Sequence, residues 1–175
     1  AIVSTLLLGK KLEFYFAIIE PFQMKDLHLY ALLGVFCGLV SLYFLWINER
    51  IEAKLENLSY NFSRLLIGGG SLGLLIFMFP PLFGEGYKSM KLILSGEIHQ
   101  LSNNSFFYQF DNTSWMFLLY LFLIVIFKVI ATSLTTGSGG IGGVFAPALF
   151  MGGISGAFFS KLINKISFVD VSESN

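Results

Sequence analysis

Gly137-Ser138-Gly139-Gly140-Ile141-Gly142-Gly143-Val144-Phe145-Ala146-Pro147 is the stretch on which the fold turns. It lies within 32 residues, Val129 to Ser160, that carry no charge. One simple membrane span needs about 20 apolar residues, so this run is too long for one. Six of the seven residues from Gly137 to Gly143 are Gly or Ser, a composition that opposes helix. Both flanks nevertheless have membrane character. Irregular backbone at membrane depth is tolerated only where it is buried in protein or lines an aqueous cavity. The stretch therefore predicts a helix broken inside the bilayer.

The apolar segment that resumes at Ala148 has helical character, and Pro147 suits its first turn, where a missing N–H loses no intrahelical partner. The first amides of a helix are unpaired donors and sit at the positive end of its dipole. A helix that begins inside the membrane thus offers N–H groups to an anion without placing a full charge in lipid. Neutral dipoles also release a small anion readily, as conduction requires. The plainer alternative is that the glycines only allow close helix packing and that Phe145 is lipid-facing bulk. A dinucleotide site is excluded although Gly137 to Gly142 spells G-x-G-x-x-G. That fingerprint needs a soluble βαβ unit and an acid about 20 residues on, and none occurs before Asp170. A phosphate-binding P-loop fails for want of Lys-Ser/Thr after the glycines.

Composition agrees with a membrane protein. Of the 175 residues 55% are hydrophobic and 13% charged, against about 25% charged in soluble domains. Acidic and basic residues balance at 11 each, so no field attracts nucleic acid. Cys37 is alone and His28 and His99 stand far apart, which argues against a disulfide framework or a metal site. Cys37 reads as a small packing residue. No nucleophile–base or carboxylate pair suggests an enzyme, and no cofactor is implied.

Leu27 to Ile47 is a full span of 21 residues, charged at most on His28. Gly34, Gly38 and Ser41 give it a small-residue face. Glu49, Arg50, Glu52, Lys54 and Glu56 then alternate in sign at helical spacing and read as a solvated face. The helices expected are 27–62, 64–81, 86–98, 115–134 and 144–163. Residues 1–8 read as the end of a helix that begins upstream. Lys128 interrupts the apolar run beginning at Trp115. It either steers an anion or pairs with a carbonyl or an acid, and the structural role is the expectation. The positive-inside rule leans towards a cytoplasmic 48–64, with Arg50, Lys54 and Arg64 against Lys88 and Lys91 in 84–114.

The block Thr135 to Gly152, with G-x-F-x-P at Gly143-Val144-Phe145-Ala146-Pro147, closely resembles the CLC family of voltage-gated chloride channels and chloride/proton antiporters. Leu32 to Ser41, the segment from Ile67 to Pro81 and Phe83-Gly84-Glu85-Gly86-Tyr87 resemble the preceding helices of that family in order and spacing. The resemblance covers nearly the whole chain. It implies an all-α polytopic fold of the inverted-repeat type with a half-membrane helix, of which 1–175 is a partial transmembrane domain. It places anion binding at Gly143, Val144, Phe145, Ala146 and Pro147, with the amides of Val144 and Phe145 meeting chloride. The family's Gly-Ser-Gly-x-Pro loop, its Gly-x-Glu-Gly-Pro gating loop and its late tyrosine have no counterpart here, so one arm of the site is expected. The implied partners are chloride, protons if the parent is an antiporter, the lipid bilayer and a second copy in a homodimeric parent. The short connections lean towards a bacterial inner membrane and an antiporter. The alternative function is a non-conducting packing segment of a membrane protein.

Overall fold

A computed structural model describes residues 24–58, 60–102 and 115–167. Five α-helices follow in order: α1 (Leu27–Glu56), α2 (Asn61–Met78), α3 (Tyr87–Leu94), α4 (Trp115–Gly137) and α5 (Phe145–Ser167). Short 3-10 turns occupy Met24–Asp26, Pro80–Leu82 and Ile98–Ser102. The described residues are helical with connecting turns, as the composition and periodicity led one to expect. Helices α1, α4 and α5 are long and apolar enough to cross a membrane.

The helix ends depart from the expected ones for local reasons. The expected helix 27–62 stops at Glu56, and a new one starts at Asn61. The intervening Asn57-Leu58-Ser59-Tyr60 is rich in side chains that compete for backbone hydrogen bonds, and Tyr60 is extended, with φ −119°. Helix α2 ends at Met78 because Pro80 and Pro81 turn the chain into a 3-10 segment. Helix α3 is shorter than the expected 86–98 and ends at Leu94, before Gly96 at φ +78°. Helix α4 runs three residues past 134, to Gly137. Helix α5 begins at Phe145, as the break requires, and continues beyond 163 to Ser167. There Lys161 and Lys165 lie over the rings of Phe117 and Trp115, at 6.0 and 4.9 Å, which ties that end to α4. The expected helix end at 1–8 lies outside the described residues.

Helix α4 is the centre of the packing. Its Leu121, Ile124 and Val129 are fully buried, and Phe150 and Ile154 of α5 close on it. Phe79 and Leu82 cover it from the α2 side. Of the apolar window of α4, 67% is buried, against none of that of α1. Leu32, Val35, Leu39 and Leu42 therefore present apolar surface on α1, which suits lipid or further membrane-embedded protein and not water. A small residue admits a close approach between α2 and the end of α4. A Cβ on Gly68 of α2 would stand 2.6 Å from Ser138 Cβ, so α2 reaches the end of α4 only because that position is Gly.

Candidate functional site

The break between α4 and α5 is built by hydroxyls that stay with their own helix. Thr132, Ser133 and Thr135 donate to the carbonyls of Lys128, Val129 and Ala131 at 2.9, 2.8 and 2.8 Å, and Ser138 donates to Leu134. Helical bonding then ends in two tight turns, Gly139 N–H to Thr136 and Gly140 N–H to Thr135, at 3.1 and 2.9 Å. Gly139 sits at φ +94°, a region that costs a residue with a Cβ about 1–2 kcal/mol. A Cβ on Gly140 would stand 2.7 Å from the Thr135 carbonyl oxygen. These two glycines are obligatory for the turn. Gly142 and Gly143 are not, since a Cβ at either meets nothing within 4 Å.

The first bond of α5 runs from the Ala148 amide to the Val144 carbonyl, 3.0 Å. Pro147 has no N–H, and the amides of Gly142 to Ala146 find no hydrogen-bond partner among the described residues. The turn thus delivers a short row of free donors at the positive end of a 23-residue helix.

The five expected residues are placed differently. Gly143 and Pro147 line a cavity of about 360 Å³. Val144 and Phe145 are exposed, Phe145 to 76%, Ala146 is half-buried and Pro147 is buried. The cavity is walled by Gly142 and Gly143 on the break, Thr132, Thr135 and Thr136 on α4, and Gly84 and Glu85 on the turn after α2. Lys128 also lines it yet is only 2% exposed. Its Nζ donates to the carbonyls of Leu82 and Gly84 at 3.0 and 2.7 Å and stands 4.9 Å from the centroid of the Phe150 ring. A structural role was expected of Lys128 with a carbonyl or an acid as partner, and the partners observed are carbonyls. One ammonium group thereby fastens three elements, the α2–α3 turn, α4 and α5, around the cavity.

A second polar set holds the far side of the break. Thr136 Oγ1 donates to Glu52 Oε1 at 2.7 Å, and Arg64 Nε donates to the carbonyl of Gly137. A guanidinium at a helix C-terminus satisfies an orphan carbonyl and opposes the negative end of the dipole. Glu49, Arg50, Lys54 and Glu56 are exposed, as a solvated face requires, but Glu52 is half-buried against α4. Neither Glu52 nor Arg64 is marked as part of the site by local sequence. The available signal is that each is a charge beside an apolar segment, and such residues seek helix ends.

A family model described as voltage gated chloride channel matches residues 1–174. An uncharacterized protein of Methanocaldococcus jannaschii is 29% identical over 167 residues, covering 95% of this chain and 38% of its own length. Chloride channel protein CLC-e of Arabidopsis thaliana is 26% identical, covering 93% of this chain and 22% of its own length. Chloride channel protein CLC-f of the same plant is 28% identical, with 93% and 20% covered. The chain therefore spans between a fifth and two fifths of these relatives. No solved structure matches it significantly.

Proposed function

The chain belongs to the voltage gated chloride channel family, a family of channels and not of enzymes, and we propose that it contributes one arm of a chloride-conducting site. The arm is the first turn of α5. Chloride is held there by backbone amides at Gly143, Val144, Phe145 and Ala146, with Pro147 shaping the turn. The observation that carries this reading is the row of unpartnered amides ahead of Ala148, set beside a cavity at a helix N-terminus within a membrane protein. Val144 is 49% and Phe145 76% exposed, and in this reading the rest of the anion's shell comes from other parts of the parent protein. Chloride/proton exchange, a homodimeric parent and a bacterial plasma membrane belong to the same proposal. Uphill proton movement driven by a chloride gradient in liposomes supports exchange. Passive chloride flow without proton movement decides for a channel.

Two substitutions in the full-length parent separate the amide from the side chain. Phe145→Ala keeps the N–H. Phe145→Pro deletes it at the first helical position, where proline is tolerated. A hydrogen bond to a charged partner contributes about 1.5–3 kcal/mol. Phe145→Pro is therefore predicted to pass chloride about 10- to 100-fold more slowly than Phe145→Ala at equal protein in liposomes. Equal fluxes from the two variants would remove the amides from the site.

A further inference from the structure

The end of α4, Thr135 to Ser138, is held differently from the rest of that helix. Ala131 to Leu134 are buried, whereas Thr135, Thr136 and Ser138 are only half-buried. Two other helices take hold of the chain there. On α1, Glu52 accepts a hydrogen bond from Thr136 Oγ1. Leu55, three residues on, is buried where Gly137 leaves room, since a Cβ on Gly137 would stand 2.7 Å from Leu55 Cδ1. On α2, Arg64 donates to the carbonyl of Gly137, and Gly68, four residues on, lies against Ser138. Glu52 and Arg64 thus bind consecutive residues of α4.

The hydroxyl of Thr136 departs from its neighbours. Thr132, Ser133 and Thr135 each bond the carbonyl four residues back at 2.8 to 2.9 Å. For Thr136 the carbonyls of Thr132 and Ser133 stand at 3.3 Å, and Glu52 Oε1 is closer at 2.7 Å. Its proton is thereby drawn off its own helix and ties α4 to α1. The same residue begins the break, because the Gly139 amide bonds the Thr136 carbonyl at 3.1 Å. Thr136 also walls the cavity beside the break. The buried cluster that joins α4 to α5 is apolar and draws on 117–129 and 150–154, so the core assembles without these polar grips. What the grips fix is the direction in which the chain leaves α4.

We propose that Glu52 and Arg64 are positioning residues for chloride, clamping the end of α4 from two helices and so setting where the amides of Gly142 to Ala146 stand. This rests on the function proposed above. Neither residue touches the ion. A hydrogen bond weakens steeply once its angle falls below about 120°, so a small rotation of the turn spoils several donors at once. Gly139 and Gly140 give that turn its shape, and the clamp gives it its orientation.

The test uses the full-length parent, with chloride flux in liposomes, melting in detergent and hydrogen exchange of the peptide 137–148. Glu52→Ala removes the acceptor and Thr136→Val the donor. Each is expected to slow chloride about 2- to 30-fold, the range for residues that act on a site through connecting contacts. The double variant should be no slower than the slower single one, since both remove one bond. Glu52→Gln keeps an oxygen for Thr136 and should restore the flux. Exchange at Gly139 and Gly140 should quicken in Glu52→Ala and in Arg64→Met, with melting temperatures close to that of the unsubstituted protein. Additive losses in the double variant, a Gln variant as slow as the Ala variant, or a melting temperature that falls in step with flux would each overturn the proposal. Thr136→Val with Glu52→Gln decides the matter if Glu52→Ala does not assemble. The Phe145 pair separates the clamp from the site. Phe145→Pro slower than Phe145→Ala, beside unchanged flux in Glu52→Ala, would keep the amides in the site and remove the clamp. Equal fluxes from the Phe145 pair, beside faster exchange in Glu52→Ala, would leave a clamp on the turn and strip it of any role for chloride.

Discussion

Lys128→Glu is predicted to abolish assembly of the helical core. The ammonium is 2% exposed and bonds two carbonyls. A carboxylate in its place faces the oxygens of Leu82 and Gly84 and the negative face of Phe150, with no donor to meet it. An uncompensated buried charge costs about 3–5 kcal/mol, a large part of the roughly 5–15 kcal/mol that holds a typical domain together. Lys128→Met is the milder probe, since it leaves the buried Leu82 carbonyl unpaired at about 1–3 kcal/mol. Thermal unfolding and size-exclusion profiles of the parent in detergent measure both. A Glu variant that elutes and melts like the unsubstituted protein would show that Lys128 does not fasten the three elements.

Gly86→Val should be nearly as damaging, for different reasons. Gly86 sits at φ +84°, directly before α3, and a side chain there pays about 1–2 kcal/mol for the left-handed backbone. Its Cβ would also overlap the Phe150 ring, which lies in the core at 0% exposure. Overpacking of that kind costs about 1–3 kcal/mol more, so the sum is about 2–5 kcal/mol. Gly69→Ala is the control, because a Cβ on Gly69 of α2 meets nothing within 4 Å. The melting temperature should fall by many degrees for Gly86→Val and hardly move for Gly69→Ala. Equal shifts for the two would mean that the Gly86 turn is not a fixed part of the core.

What the sequence revealed and what it hid divide along the distance between interacting residues. The broken helix was legible because its signal is contiguous: a run of Gly and Ser set between apolar flanks, then Pro147 inside a first turn. The span of α1 was legible for the same reason. Its end was not, because alternating charges at 49–56 extend the helical pattern while Asn57 and its neighbours oppose it, and periodicity does not weigh the two. The contacts that frame the break join residues far apart in the chain. Lys128 reaches back 46 residues to Leu82, Arg64 meets Gly137 across 73, and Glu52 meets Thr136 across 84. No local pattern encodes such pairings. The division runs through the candidate site too. Gly143 and Pro147 line the cavity, whereas much of its remaining wall comes from Leu72 and Ile76 of α2, Gly84, Glu85, and Lys128 and the threonines of α4, which only tertiary folding brings there.

The fastening at Lys128 also bears on how the chain enters a bilayer during its synthesis. A lysine near the middle of a nascent membrane helix opposes insertion by about 2.5–3.5 kcal/mol. The Leu, Ile, Phe and Val residues around it offset this with about 0.3–0.6 kcal/mol apiece at the helix centre, so α4 can enter on its own hydrophobicity. Entry alone leaves the cation without a partner. Its acceptors lie 46 and 44 residues nearer the N-terminus and have left the ribosome before α4 emerges. The segment that receives the charge is thus made first and the segment that carries it second. Translation order matches the order of dependence, and the cation spends little time unpaired in lipid.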